Sequence, residues 1–220
     1  MTWTGGRMKS RLEAARIGVV IYEGVEPIDV GGTAGVISMA GRVLPAISSL
    51  MIAERAGPVR LAGGVTVMAD ADFQSAPPCD VFIVCGGPGW RDQVRNPAML
   101  DFVRSRRRPE IASVCTGALI LAAAGTLDGL RATTRRNAVG AETESPLSLI
   151  GAFAKEARPR PGLVVEDHGV VTSGGVSLAI DGTLYLIGRI YGEAARDEVA
   201  QVLEYDRAFA INRRALGIHA

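Results

Sequence analysis

The feature that most limits how this chain can fold is a series of short, largely apolar runs that each lead into a glycine-bearing turn. RIGVVIY (residues 16–22), DVFIVCGG (80–87) and IASVCTG (111–117) are the clearest. Their residues are mostly β-branched, and no polar face alternates with the apolar one. A strand apolar on both faces lies between two covering layers, the setting of a parallel sheet with helices above and below. The intervening segments have helical character. TGALILAAAG (116–125) stops at Gly125, and SLAIDGTLYLIGRIYG (177–192) carries apolar residues at helical spacing. This alternation predicts an α/β sandwich: a mostly parallel sheet with helices on both faces.

The remaining segments fit that plan. SSLMIAER and PVRLAGGVTVMAD read as further strands with turns, and RDQVRNPAMLDFVRSRRR as a helix capped or kinked at Asn96-Pro97. GLVVEDHGVVTSGG reads as a hairpin turning at Glu166-Asp167-His168-Gly169, and EAARDEVAQVLEY as a charged, amphipathic last helix. Residues 1–15 are expected to be a tail, partly disordered, leading into one domain over 16–220. Met8 is an alternative start.

Composition excludes several function classes. The net charge of +1 offers no basic surface for nucleic acid or an anionic membrane. Arg104, Arg106, Arg107 and Arg108 read as a solvated helix end, where cations favour the negative pole of the dipole. Cys79, Cys85 and Cys115 cannot all pair and lack the spacing of a zinc site, so a reduced, cytoplasmic protein without metal or cofactor is expected. No apolar stretch approaches the ~20 residues of a membrane span, and the N-terminus lacks the apolar core of a signal peptide. The nucleotide fingerprints GxGxxG and GxxxxGK[ST] are missing.

Two glycine-rich corners follow central strands, CGGPG after Val84 and Cys115-Thr116-Gly117 after Val114. In open α/β sheets ligands bind at the carboxyl ends of strands. Cys115 stands there at a helix N-terminus, a setting that lowers a thiol pKa and favours thiolate. Asp29 precedes a helical segment, and its residue type alone reads as an N-cap. Asp181, in an apolar helix, must be paired or hydrogen-bonded and reads as a structural brace. Ser173, Gly174 and Gly175 end a strand and either line a pocket mouth or cap the next helix. His168, in a turn, and His219, near the C-terminus, are expected at the surface, which disfavours a Cys-His-Glu triad. Cys85 reads as a core residue.

RIGVVIYEGVEPIDVGG, DVFIVCGGPG, SVCTGALILAAAGTLDGLRATT and VVTSGGVSLAIDGTLYLI, in that order, resemble the ThiJ/PfpI superfamily. The likeness is nearest to isocyanide hydratases and to the amidase-like domains of AraC-type regulators. The resemblance implies a flavodoxin-like α/β sandwich, a cysteine on a strained nucleophile elbow, and a homodimer. It makes Cys115 the nucleophile and Asp29 the acidic residue beside the thiol. Gly87 becomes a backbone donor facing the nucleophile. Thr116 supplies a second backbone donor and a hydroxyl. Gly86 and Gly117 complete the substrate- and oxyanion-binding corner. The implied reaction is hydration of a small electrophilic carbon compound, an isocyanide going to a formamide through a thioimidate.

Departures from the pattern bear on this. Asp29-Val-Gly-Gly-Thr33 lacks the family's proline after the second glycine, so the lip of the pocket is expected to differ. Arg135-Arg136 replace a common His-Trp; they either face solvent or admit an anionic substrate. Two other activities compete. A ligand-sensing or regulatory domain would keep the motifs without catalysis, although the chain ends too early for a helical DNA-binding module. A glyoxalase-like activity would use a glutamate of the first βα loop, Glu23 or Glu26.

Overall fold

The computed structural model describes residues 7–220. The first residues of the expected N-terminal tail, 1–6, lie outside the described residues. From residue 7 onwards the chain is tied down: Lys9 N–H donates to the Ile190 carbonyl at 2.8 Å, and its ammonium pairs with Asp80 at 2.6 Å.

β1 (Ala15–Val20) leads into α1 (Pro27–Ala40). β2 (Ile47–Ala53) is followed by a hairpin of β3 (Gly57–Arg60) and β4 (Thr66–Ala69), then by the short β5 (Ala71–Asp72). β6 (Val81–Val84) precedes α2 (Trp90–Gln93) and α3 (Pro97–Arg104). β7 (Ile111–Val114) runs into α4 (Gly117–Ala123), and β8 (Arg131–Ala132), α5 (Pro146–Phe153) and β9 (Arg158–Pro159) follow. β10 (Val164–Asp167) and β11 (Val170–Ser173) form a second hairpin. α6 (Ala179–Tyr191), α7 (Glu193–Val202), α8 (Asp206–Leu216) and β12 (Ile218–His219) complete the described chain.

The main sheet has the order β12-β10-β11-β7-β6-β1-β2-β5. Every neighbouring pair is parallel except the β10/β11 hairpin. The expected α/β sandwich with a mostly parallel sheet is therefore present. α1, α6 and α7 pack together on one face, while α2, α3 and α5 gather around α4 on the other. β6 and β7, the central strands, are buried along their whole length, which is why neither shows a polar alternation. α4 has no charged residue and is buried from Gly117 to Ala122, because it is sandwiched between the sheet and other helices.

The structure departs from the sequence expectations in detail. The 91–108 segment is two helices, broken where the Asn96 side chain accepts from Ala98 N–H and Pro97 opens α3. The second hairpin is tighter than expected. Asp167 still pairs with Val170, and only His168 and Gly169 turn, both at positive φ. The segment ending at Tyr205 is not the last helix: α8 and β12 follow it. α8 buries only Phe209, so its apolar signal is too thin to be read from periodicity. His219 is accordingly half-buried on β12 rather than loose at the surface.

Candidate active site

The chain leaves β1 to one side of the sheet and returns to β6 on the other, so β1 and β6 flank the topological switch point. Three segments converge at the carboxyl ends of β1, β6 and β7. They are the start of α1 with Asp29, the glycine corner 85–89, and the turn at Cys115.

Cys115 lies two residues before α4, with Thr116 at the N-cap position between them, and has φ 53. A side-chain-bearing residue in the left-handed region is strained, and the surroundings hold it there. Its N–H donates to the Gly174 carbonyl at 3.2 Å, and the Thr134 hydroxyl donates to its carbonyl. Gly117 lets α4 begin immediately, since a Cβ there would lie 2.1 Å from the Val84 carbonyl oxygen. These features make a strained strand-to-helix elbow with Cys115 at its tip. The sulfur is covered by the Gly175 backbone, where an added Cβ would sit 2.3 Å from Sγ. Val176 follows at φ 60, an outlier for a β-branched residue, and so a second strained residue adjoins the sulfur.

Asp29 is the third residue of α1 and fully buried. It is no N-cap: Glu26 occupies that position, and no side chain caps the helix. The Asp29 carboxylate turns inward instead. It accepts from Gly86 N–H at Oδ2 and from Val176 N–H at Oδ1, both at 2.9 Å, and the Cys115 thiol hydrogen-bonds to it. One carboxylate thus joins the ends of β1 and β6 and the loop after β11 at the sulfur.

Burial dominates the electrostatics. It pushes Asp29 up to about 7, against the hydrogen bonds from Gly86, Val176 and Cys115. Burial, reinforced by the Asp29 charge, pushes Cys115 up to about 12, while the Thr116 and Val176 N–H groups and the Arg135 charge favour the thiolate. The exposed, ionised sulfur expected at a helix N-terminus is therefore not what the fold holds. Cys115 is 3% exposed and its thiol is protonated at neutral pH, because α4 is too short and too deeply buried to offset desolvation.

Thr116, Gly86, Gly87 and Gly117 are all at this corner. Thr116 N–H points to the sulfur. Gly87 N–H is engaged by Thr116 Oγ1 at 2.9 Å, so the two part before Gly87 can face a ligand. Gly86 N–H is already bound to Asp29. Glu23 is exposed and accepts from Arg60 N–H, away from the thiol, whereas Glu26 is half-buried and near enough to raise Asp29 further. Arg135 is largely buried against Glu142, and Arg136 is exposed. Ser173 caps no helix: it is buried at the end of β11, its hydroxyl near the Ser113 and Gly174 carbonyls. His168 is exposed beside Asp167. Cys85 is fully buried beneath the corner, where its carbonyl accepts from the Tyr22 hydroxyl at 3.0 Å. Asp181 braces the far side, accepting from Tyr205 Oη at 2.9 Å and from Asn212 Nδ2.

Val176, Thr134 and Tyr22 were not read as part of this site. Val176 acts through its backbone N–H, which no side-chain pattern announces; the Gly174-Gly175 pair before it is the only cue. Among the described residues, no cluster of three or more His, Cys, Asp or Glu is placed to hold a metal ion. No described helix is long and apolar enough to cross a membrane.

Comparisons with known proteins agree with this geometry. An isonitrile hydratase from Pseudomonas putida is 31% identical over 194 residues, covering 87% of this chain and 79% of the relative. The transcriptional regulator GbdR of Pseudomonas aeruginosa is 30% identical over 145 residues, 66% of this chain but only 37% of the regulator. Among solved structures, a ThiJ/PfpI family protein from Pseudomonas syringae superposes with a TM-score of 0.75 at 26% identity, over 89% of this chain and 76% of that one. Drosophila melanogaster DJ-1beta shares the fold, with a TM-score of 0.71 at 20% identity, over 87% and 98% of the two chains. The DJ-1/PfpI family model matches residues 15–187. That span runs from β1 into α6 and takes in every strand end that builds the corner around Cys115, and on this ground the chain belongs to the DJ-1/PfpI family.

Proposed function

We propose that the protein hydrates an isocyanide to an N-substituted formamide, with Cys115 as nucleophile and Asp29 as proton carrier. The observation that carries this reading is the buried pairing of a neutral thiol with a carboxylate whose pKa is raised to about 7. The terminal carbon of an isocyanide takes up a nucleophile and a proton together. A protonated thiol beside a base delivers both. Asp29 accepts the thiol proton as sulfur bonds to carbon, and the same proton passes to that carbon, giving the thioimidate R–N=CH–S–Cys115. Water then adds across the C=N bond with Asp29 taking and returning its proton. Collapse expels the sulfur, leaving R–NH–CHO and a restored thiol. Both groups act near neutral pH because the base is matched to it.

Access supports a slender reagent. Cys115 is 3% exposed, and an isocyano group is linear and ends in the reacting atom. The isonitrile hydratase relative is consistent with the same chemistry. The test is conversion of cyclohexyl isocyanide to N-cyclohexylformamide by purified protein, with Cys115→Ala abolishing it. Absence of turnover in the wild type rejects the reading.

A ligand-sensing role is the second reading. Its support is the closely covered sulfur and the likeness to GbdR. It requires tight metabolite binding without turnover. Of the two glutamates that a glyoxalase-like activity would use, Glu23 is engaged by Arg60 N–H, which leaves Glu26, close to Asp29, as the residue to mutate in testing that activity. A homodimer belongs to the proposal as well, and sedimentation measures it directly.

A further inference from the structure

Beside the elbow stands a charged cluster that the chemistry of Cys115 and Asp29 does not use. Arg135 follows Thr134, whose hydroxyl is bonded to the carbonyl of Cys115 itself. The Arg135 side chain is only 14% exposed, and its Nη2 donates to both Glu142 oxygens at 2.7 and 2.8 Å. Arg91 approaches the same carboxylate at 3.8 Å and lies over the Trp90 ring at 4.8 Å. Trp90 opens α2 at the end of the corner that carries Gly86 and Gly87. Its Nε1–H is buried and meets no acceptor among the described residues.

Two guanidinium groups therefore share one carboxylate, which leaves a net positive charge next to an indole donor without a partner. A clamp for the 135–142 loop needs only Arg135 and Glu142. It accounts for neither the second arginine nor the unmet N–H, and buried donors are normally satisfied. A planar anion fits what is left over, since guanidinium groups match carboxylate geometry. Arg135 is tied to the elbow through its neighbour Thr134, whose hydroxyl holds the Cys115 carbonyl, and its charge reaches the sulfur.

We infer that Arg135, Arg91 and Trp90 form a carboxylate-binding wall beside Cys115, and that the substrate's substituent carries a carboxylate. The inference rests on the hydration reading for the reacting end of the substrate and concerns the opposite end.

Isothermal calorimetry with N-formylglycine, the formamide that hydration of isocyanoacetate releases, tests it against the neutral isostere N-formylglycinamide. The wild type is expected to prefer the acid by about tenfold or more, the worth of one charge-assisted hydrogen bond. Arg135→Gln erases the preference, and Arg91→Gln, at a side chain 55% exposed, lowers it without threatening the fold. Glu142→Gln frees Arg135 and raises it. Equal affinity for acid and amide in the wild type overturns the inference. So do Arg135→Gln and Glu142→Gln moving the preference in the same direction, which is the signature of a loop clamp alone. Because the readout is binding, a failure of isocyanide turnover with the preference intact rejects the hydration reading and not the anion wall.

Discussion

Asp29→Asn separates the chemical use of the carboxyl group from its cost to the fold. In the folded chain its pKa rises from 3.8 to about 7, chiefly through burial. An acid whose folded pKa exceeds its unfolded one loses stability as pH rises, beginning at the unfolded value and ending at the folded one. A displacement of this size corresponds to roughly 4 kcal/mol, of which roughly 2–3 kcal/mol falls between about pH 5 and about pH 8. Asparagine keeps the shape and never ionises. It offers one oxygen to two donors, the Gly86 and Val176 N–H groups, each now 2.9 Å from a carboxylate oxygen. The unmet donor costs about 1–3 kcal/mol at every pH. The variant should therefore start slightly less stable than the wild type at about pH 5 and gain on it by roughly 2–3 kcal/mol by about pH 8. Urea unfolding of both proteins at each pH measures this, and the difference cancels the other titrating groups. Isocyanide turnover should meanwhile fall by about 10²–10⁴. A stability gap that stays flat across the range refutes the picture, because Asp29 then ionises as an ordinary surface carboxylate.

The same variant should lower the pKa of Cys115, since it removes the adjacent negative charge that helps hold the thiol near 12. Iodoacetamide alkylation followed against pH should place the wild-type midpoint far above a free cysteine's ~8.5 and the variant's midpoint below the wild type's. Gly175→Ala drives a methyl group to 2.3 Å from Sγ, so it should destabilise the protein by about 1–3 kcal/mol in thermal unfolding and abolish turnover. Asp181→Ala leaves the Tyr205 hydroxyl without its acceptor and the Asn212 amide with Tyr205 Oη alone, at a cost of about 1–3 kcal/mol. Limited proteolysis should then cut within α8, which Asn212 ties to α6.

What was legible in the sequence follows from where side chains carry the structure. β6 and β7 were readable because strands buried on both faces have no polar alternation, and α4 because nothing but small and apolar residues fits beneath the sheet. Cys115 was legible as an elbow from the glycine after it. Asp29 as a cap was not sustained, because the helix starts earlier, at Pro27, and three positions past the N-cap Glu26 the carboxylate turns towards Gly86 and Val176. The raised pKa values were illegible: a helix N-terminus is visible in sequence, whereas its burial is a property of the packed whole. The Arg135–Glu142–Arg91 cluster joins α2 to the 135–142 loop, and no spacing rule pairs residues so far apart.

The site concentrates costs that an unused corner would shed. Cys115 and Val176 are each held at positive φ, at about 1–3 kcal/mol apiece, and a carboxylate is desolvated between them. Such costs persist only where the surroundings over-determine the geometry. Around Cys115 those surroundings are α4 and the ends of β6 and β7, all buried. A domain that only senses a ligand gains from a yielding pocket, and rigidity of this degree serves it little. The proposed hydration would benefit from it directly, because the thiol and its base would have to stay in register while a single proton crosses from sulfur to oxygen to carbon.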